Sequence, residues 1–116
     1  MARDPYAYVI DCLDACSAIE EAIRTIDLRA YTQQRLIRSA VEREFILIGE
    51  ALKRLSQINP EMFTQVRSAR LIINFRNLLT HDYAAIDDEA VFGIANADLG
   101  ILKTDLLRLM AQRPEV

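Results

Sequence analysis

Along most of this chain the apolar residues recur at steps of three and four, the spacing that lines one face of an α-helix. Val9, Leu13, Cys16, Ile19, Ile23 and Ile26 form a first stripe, and Ile37, Val41, Phe45, Ile48, Leu52 and Leu55 a second. Leu71, Ile72, Phe75, Leu78 and Leu79 form a third, and Val91, Ile94, Ala95, Leu99, Leu102, Leu106 and Leu109 a fourth. Start signals sit where the stripes begin. Asp4 before Pro5 predicts a capped first helix from about Pro5 to Leu28, and Thr32 is expected to cap the second, which ends before Asn59 and Pro60. "NPEMF" reads as cap, proline and a short helical turn, and the third main helix follows it. Tyr83 to Ile86 is the next break, after which Asp87 caps the last helix with Asp88 and Glu89 in its first turn. The expected fold is all-α: an antiparallel four-helix bundle with an additional short helix, in one domain over residues 1–116.

Composition narrows the classes. At 116 residues with 52% apolar content, the chain can bury a real core without disulfide or metal staples. No window approaches the roughly 18 unbroken apolar residues of a membrane span, so no membrane association is expected. The opening "MARDPYAYVIDCLD" carries Asp4, Asp11 and Asp14 through its apolar part, unlike a secretory signal, which makes the cytoplasm the expected location. Cys12 and Cys16 share a helix face, but with His81 they are the only Cys or His residues, fewer than the four ligands of a structural zinc site. They read as free thiols packed as small apolar groups, and neither a metal nor a cofactor is expected. The stripes are wide, and "EFILIGEAL" and "RLIINF" are apolar between them as well, so a homodimer is expected. Gly49 stands inside the second stripe, where an interior glycine costs about 1 kcal/mol against alanine; it marks either a close helix contact or room made beside a site.

Net charge is −3, unevenly spread. Residues 1–30 hold three basic and six acidic groups, residues 31–80 eight and four, and residues 81–116 three and seven, with His81 counted as neutral. The basic middle consists of Arg35, Arg38, Arg43, Arg54, Arg67, Arg70 and Arg76 with Lys53. Arginine's planar fork suits phosphate, so a phosphate-facing surface is one reading. A solvated helix face with intrahelical pairs such as Glu50 with Arg54 is the other.

The stretch "FRNLLTHDY", Phe75 to Tyr83, holds the sole histidine, His81, with Arg76 five residues before it and Tyr83 two after. If the helix persists, Arg76 and Tyr83 share a face and Asn77 and His81 a neighbouring one, which would let Asn77 orient the imidazole. Arg76 and His81 lie about 140° apart around one helix at ~100° per residue, so one copy does not aim both at one atom, and a second copy across a two-fold axis would complete a site. A histidine, with an ordinary pKa of about 6.5, moves protons near neutral pH, and an arginine stabilises charge on a phosphate. Those are the needs of metal-free RNA cleavage, in which the ribose 2′-hydroxyl attacks its own phosphate. The plain alternatives are a capping cation, a surface arginine and a rim tyrosine.

Arg76, His81 and Tyr83 reproduce the R-x4-H-x-Y signature of the HepT-like toxins of the HEPN superfamily, small all-helical proteins that this chain resembles over nearly its whole length. "AVEREFILIGEALKRL" is similar to the family's second-helix segment with its Gly-Glu pair, and "IDDEAVFGI" to the helix after the signature. The resemblance implies the toxin of a type II-like toxin–antitoxin system of the HepT/MntA kind. It implies a dimer with two signatures facing one cleft, acting as a metal-independent endoribonuclease on cellular RNA. Arg76 would bind the scissile phosphate, His81 would be the general acid or base, and Glu50 would contact the signature arginine. The implied partner is a cognate minimal nucleotidyltransferase antitoxin that transfers AMP onto Tyr83, and a larger hetero-oligomer with it is among the assemblies the resemblance implies. The alternative is a non-catalytic module that binds nucleotides or the nucleotidyltransferase through the same cleft.

Overall fold

The structure, a computed structural model, describes residues 3–114, with the side chain of Tyr83 outside the description. Four long helices carry the fold: α1 (Pro5–Ile23), α3 (Arg35–Ile58), α5 (Ala69–His81) and α6 (Asp88–Ala111). Two short ones, α2 (Leu28–Gln33) and α4 (Pro60–Thr64), and a 3-10 turn at Tyr83–Ala85 connect them. The chain is an all-α bundle.

The caps explain most of the boundaries. Asp4 accepts from the Tyr6 amide ahead of Pro5, Asn59 from the Met62 amide ahead of Pro60, and Asp87 from the Glu89 amide. Two expectations need correction. The first helix ends at Ile23 rather than near Leu28, because Asp27 turns the chain and caps α2 by accepting from the Ala30 amide at 2.9 Å. Thr32 lies within α2 and its hydroxyl donates back to the Arg29 carbonyl, so it caps nothing; α3 starts after Gln34 instead.

α1 packs against both α3 and α6. Val9, Cys12, Cys16 and Ile19 meet a seam that includes Phe45, Ile48 and Leu52, all essentially without solvent contact; each large apolar side chain buried this way contributes about 1.5–3 kcal/mol. On its other side α1 runs antiparallel to α6, the edge being tied by Lys103 to Glu20 at 2.8 Å and Arg113 to Asp4 at 3.6 Å. α3 also packs on α5, where Phe45 and Phe75 meet edge to face with ring centroids 5.2 Å apart. α5 runs antiparallel to α3, since the chain that leaves it reaches Ile86 and Asp88 beside Arg35 and Arg38 at the start of α3. Two residues of the expected third stripe are not core: Leu71 is 47% and Leu78 37% exposed. They sit two turns apart on an outer face of α5.

Asp105 is the sole buried charged side chain among the described residues, 1% exposed on α6. It accepts from the Arg67 backbone amide at 2.9 Å and from the Arg67 and Arg108 guanidinium groups, so it pins the chain entering α5 to α6. Burial alone would raise this carboxyl, but the Arg67 guanidinium and amide, with Arg108, outweigh it and hold the group below the usual carboxylate range. A depressed folded pKa stabilises the protein above the unfolded value of about 3.9 and ceases to do so as pH falls through the folded value. Asp105→Ala should lower stability by about 1–3 kcal/mol in urea titrations at neutral pH, because it strands the Arg67 amide. Asp105→Asn should flatten the acid side of the stability profile below about pH 4.

Candidate active site

The site is built at the crossing of α3 and α5. Gly49 faces Arg76 there, and a β-carbon at position 49 would overlap the Arg76 Cβ and come within 2.6 Å of its Cγ. The close-contact reading of this glycine holds: the helices touch here, and the space a side chain would take is filled by the aliphatic stem of Arg76. The stem is covered and the side chain as a whole is 19% exposed, while the guanidinium reaches the edge. Nη2 donates to Glu50 Oε1 at 3.2 Å and Nη1 to Asn77 Oδ1 at 3.0 Å; Nε is buried and has no partner among the described residues. The fork is therefore held at both terminal nitrogens before any ligand arrives.

Glu50 thus pairs with Arg76 across the helix crossing, and no ion pair joins it to Arg54 among the described residues. Asn77 is committed to Arg76; no hydrogen bond joins it to His81 among the described residues, against the expectation from spacing. His81 is the last residue of α5, exposed, in the turn where a cation meets the negative end of the helix dipole. Because α5 is unbroken from Arg76 to His81, the two lie about 7.5 Å apart along the axis and about 140° around it. Asp82, with φ −145° and ψ 56°, ends the helix, so Tyr83 does not continue the Arg76 face but opens the 3-10 turn. The reach of its hydroxyl falls outside what the structure describes.

A cavity of about 330 Å³ opens beside the guanidinium, lined by Glu50, Lys53, Arg54, Gln57 and Arg76. Gln57 has no special place in the sequence, yet it stands seven residues after Glu50 and so shares its face, a spacing that would have found it once Glu50 was tied to Arg76. On the α1 side of Glu50 and Arg54 a larger cavity of about 550 Å³ is lined by Asp11, Asp14 and Glu44, with Arg3 bonded to Asp11 at 2.7 Å. The two thiols are far from this chemistry in character: Cys12 and Cys16 are buried and unpaired, and burial pushes both up, Cys16 to about 12. Among the described residues no three Cys, His, Asp or Glu side chains are grouped to hold a metal ion, and no helix is long and apolar enough to cross a membrane.

The fold and the site together define a class: a small all-α bundle that presents a pre-positioned arginine fork beside an open polar cavity and an exposed histidine at the end of the same helix. The family model described as "Ribonuclease HepT-like" matches residues 12–110, and the chain belongs to that family. It is also similar to a Methanocaldococcus jannaschii protein named "Putative RNase MJ1380", with 29% identity over 104 residues that cover 90% of this chain and 94% of that protein. Comparison with solved structures gave no match.

Proposed function

We propose that this chain is a toxin endoribonuclease that cleaves RNA without a metal, at a site completed across a homodimer. The observation that carries the reading is the Arg76 fork, fixed by Glu50 and Asn77 on a stem wedged against Gly49, beside a cavity open to a ligand. Family membership points the same way.

In the proposed reaction the substrate's 2′-hydroxyl loses its proton to one His81 imidazole and its oxygen bonds to the adjacent phosphorus. The bond from phosphorus to the 5′-oxygen breaks, and that oxygen takes up a proton from an imidazolium, leaving a 2′,3′-cyclic phosphate and a 5′-hydroxyl. Arg76 meets the charge that grows on the non-bridging oxygens, and because its fork is already anchored, little reorganisation accompanies that step. A single α5 separates Arg76 and His81, so the partner copy supplies the group that one copy cannot aim. The exposed Leu71 and Leu78, on a face of α5 that leads to His81, support a covered interface there.

Control falls to a minimal nucleotidyltransferase that moves AMP from a nucleoside triphosphate onto the Tyr83 hydroxyl, releasing pyrophosphate. The added phosphodiester and nucleotide would fill the space a substrate phosphate needs. The test is direct. Protein made alone should cut single-stranded RNA to cyclic-phosphate ends in the presence of a chelator, and protein made with the transferase should gain one or more AMP units at Tyr83 and lose that activity. RNA bound tightly but never cut by the unmodified protein would replace this reading with the non-catalytic binding module.

A further inference from the structure

Eight basic side chains occupy residues 31–80, and the structure separates those with structural partners from those without. Arg38 pairs with Asp88, Arg67 with Asp105, Arg76 with Glu50, and Arg70 lies over the Phe63 ring. Arg35, Arg43, Lys53 and Arg54 are exposed, and no ion pair engages any of them among the described residues; of these four, Lys53 and Arg54 alone line the cavity that ends at Arg76. With Glu50 and Gln57 they stand at positions i, i+3, i+4 and i+7 of α3, one face of one helix.

Their direction from Arg76 matters. α3 and α5 are antiparallel, so Lys53 and Arg54, which follow Glu50 on α3, lie on the side of Arg76 away from His81. The rise is about 4.5–6 Å from the level of Glu50, the scale of one step along a nucleic-acid backbone. The neighbouring cavity toward α1, which Arg54 also borders, repels phosphate through Asp11, Asp14 and Glu44, and its Arg3 is already bonded to Asp11. Of the two cavities that Arg54 borders, the one ending at Arg76 is the one where Lys53 adds its charge, and the pocket of Arg35 and Arg38 at the start of α3 does not include Arg76.

We propose that Lys53 and Arg54, with Gln57 beside them, grip the phosphate adjacent to the one held by Arg76, on the side opposite His81, and so fix the direction in which single-stranded RNA lies across the site. This rests on the ribonuclease reading above. Both residues are positioning residues. They contact a phosphate that does not react, so their removal weakens substrate binding and leaves the chemical step alone.

The experiment uses the full chain with Lys53→Gln and Arg54→Gln together, and Arg29→Gln on α2, at the other end of α3, as the control. Binding is followed in a His81→Ala background with labelled single-stranded RNA of about eight nucleotides and mixed sequence, over a salt series. The double variant should bind about tenfold more weakly at low salt, with a log–log salt slope shallower by about 0.7, the value for one lost phosphate contact on a single strand. Arg29→Gln should change neither. In the active background the double variant should raise KM with kcat unchanged. An unchanged slope, an equal loss in Arg29→Gln, or a fall in kcat at constant KM would overturn the proposal while cleavage by wild type stands. Absence of both RNA binding and cleavage in the parent proteins would overturn the ribonuclease reading, and this proposal with it.

Discussion

His81→Ala should melt close to wild type and cut RNA at least about 10²-fold more slowly, the usual contribution of a single general acid or base. The side chain is exposed at the end of α5, so the folded state loses little more than a favourable dipole contact of about 0.3–1 kcal/mol. Arg76→Lys should lose cleavage to a similar degree for a different reason. A lysine keeps the charge but not the fork that reaches Glu50 and Asn77 together, so the phosphate meets an untethered ammonium. Cleavage that survives both substitutions would sink the catalytic assignment; the readouts are a product assay for cyclic-phosphate ends and a thermal melt.

Gly49→Ala is expected to destabilise the protein although alanine is the better helix former. The new methyl would overlap Arg76 at Cβ and crowd Cγ, and neither atom can swing away as the tip of a side chain could, so α3 and α5 must part. Overpacking of this kind costs about 1–3 kcal/mol or more, against a propensity gain of about 1. Gly93 and Gly100 on α6 offer the contrast, since a β-carbon at either meets nothing within 4 Å. Alanine there should raise stability by about 0.5–1 kcal/mol. Melting curves of the three variants should therefore split in sign, and Gly49→Ala should also lose RNA cleavage because Arg76 is displaced. A Gly49→Ala protein as stable and as active as wild type would mean that the helices slide apart freely.

The bundle was legible because its signals are local. Asp4 with Pro5, Asn59 with Pro60, and Asp87 mark helix starts through hydrogen bonds to amides two or three residues away, and nearly all the stripe residues are buried or partly buried. The turn after Ile23 was hidden because Ile26 continues the apolar period through it, with no glycine or proline to interrupt. Leu71 and Leu78 looked like core for the same reason: periodicity names an apolar face without saying what covers it. Contacts between distant segments were the least visible. Arg67 finds Asp105 from 38 residues away with no local trace. Glu50 finds Arg76 across 26 residues, a contact suggested by family resemblance alone, while spacing assigned Asn77 to His81 because it knows a helix but not the crossing beside it.

The stem of Arg76 is a structural member of the α3–α5 contact as well as the carrier of the guanidinium proposed to bind phosphate. Any substitution that loosens that seam also misplaces the guanidinium, so inactivating changes need not touch the cavity at all. On the proposed toxin reading, this makes disarmament an easy evolutionary step: many single changes along two helices would yield a folded, harmless chain. Populations that lose the proposed transferase partner should therefore accumulate survivors whose lesions cluster along the seam, around Gly49 and Phe75, as well as at His81.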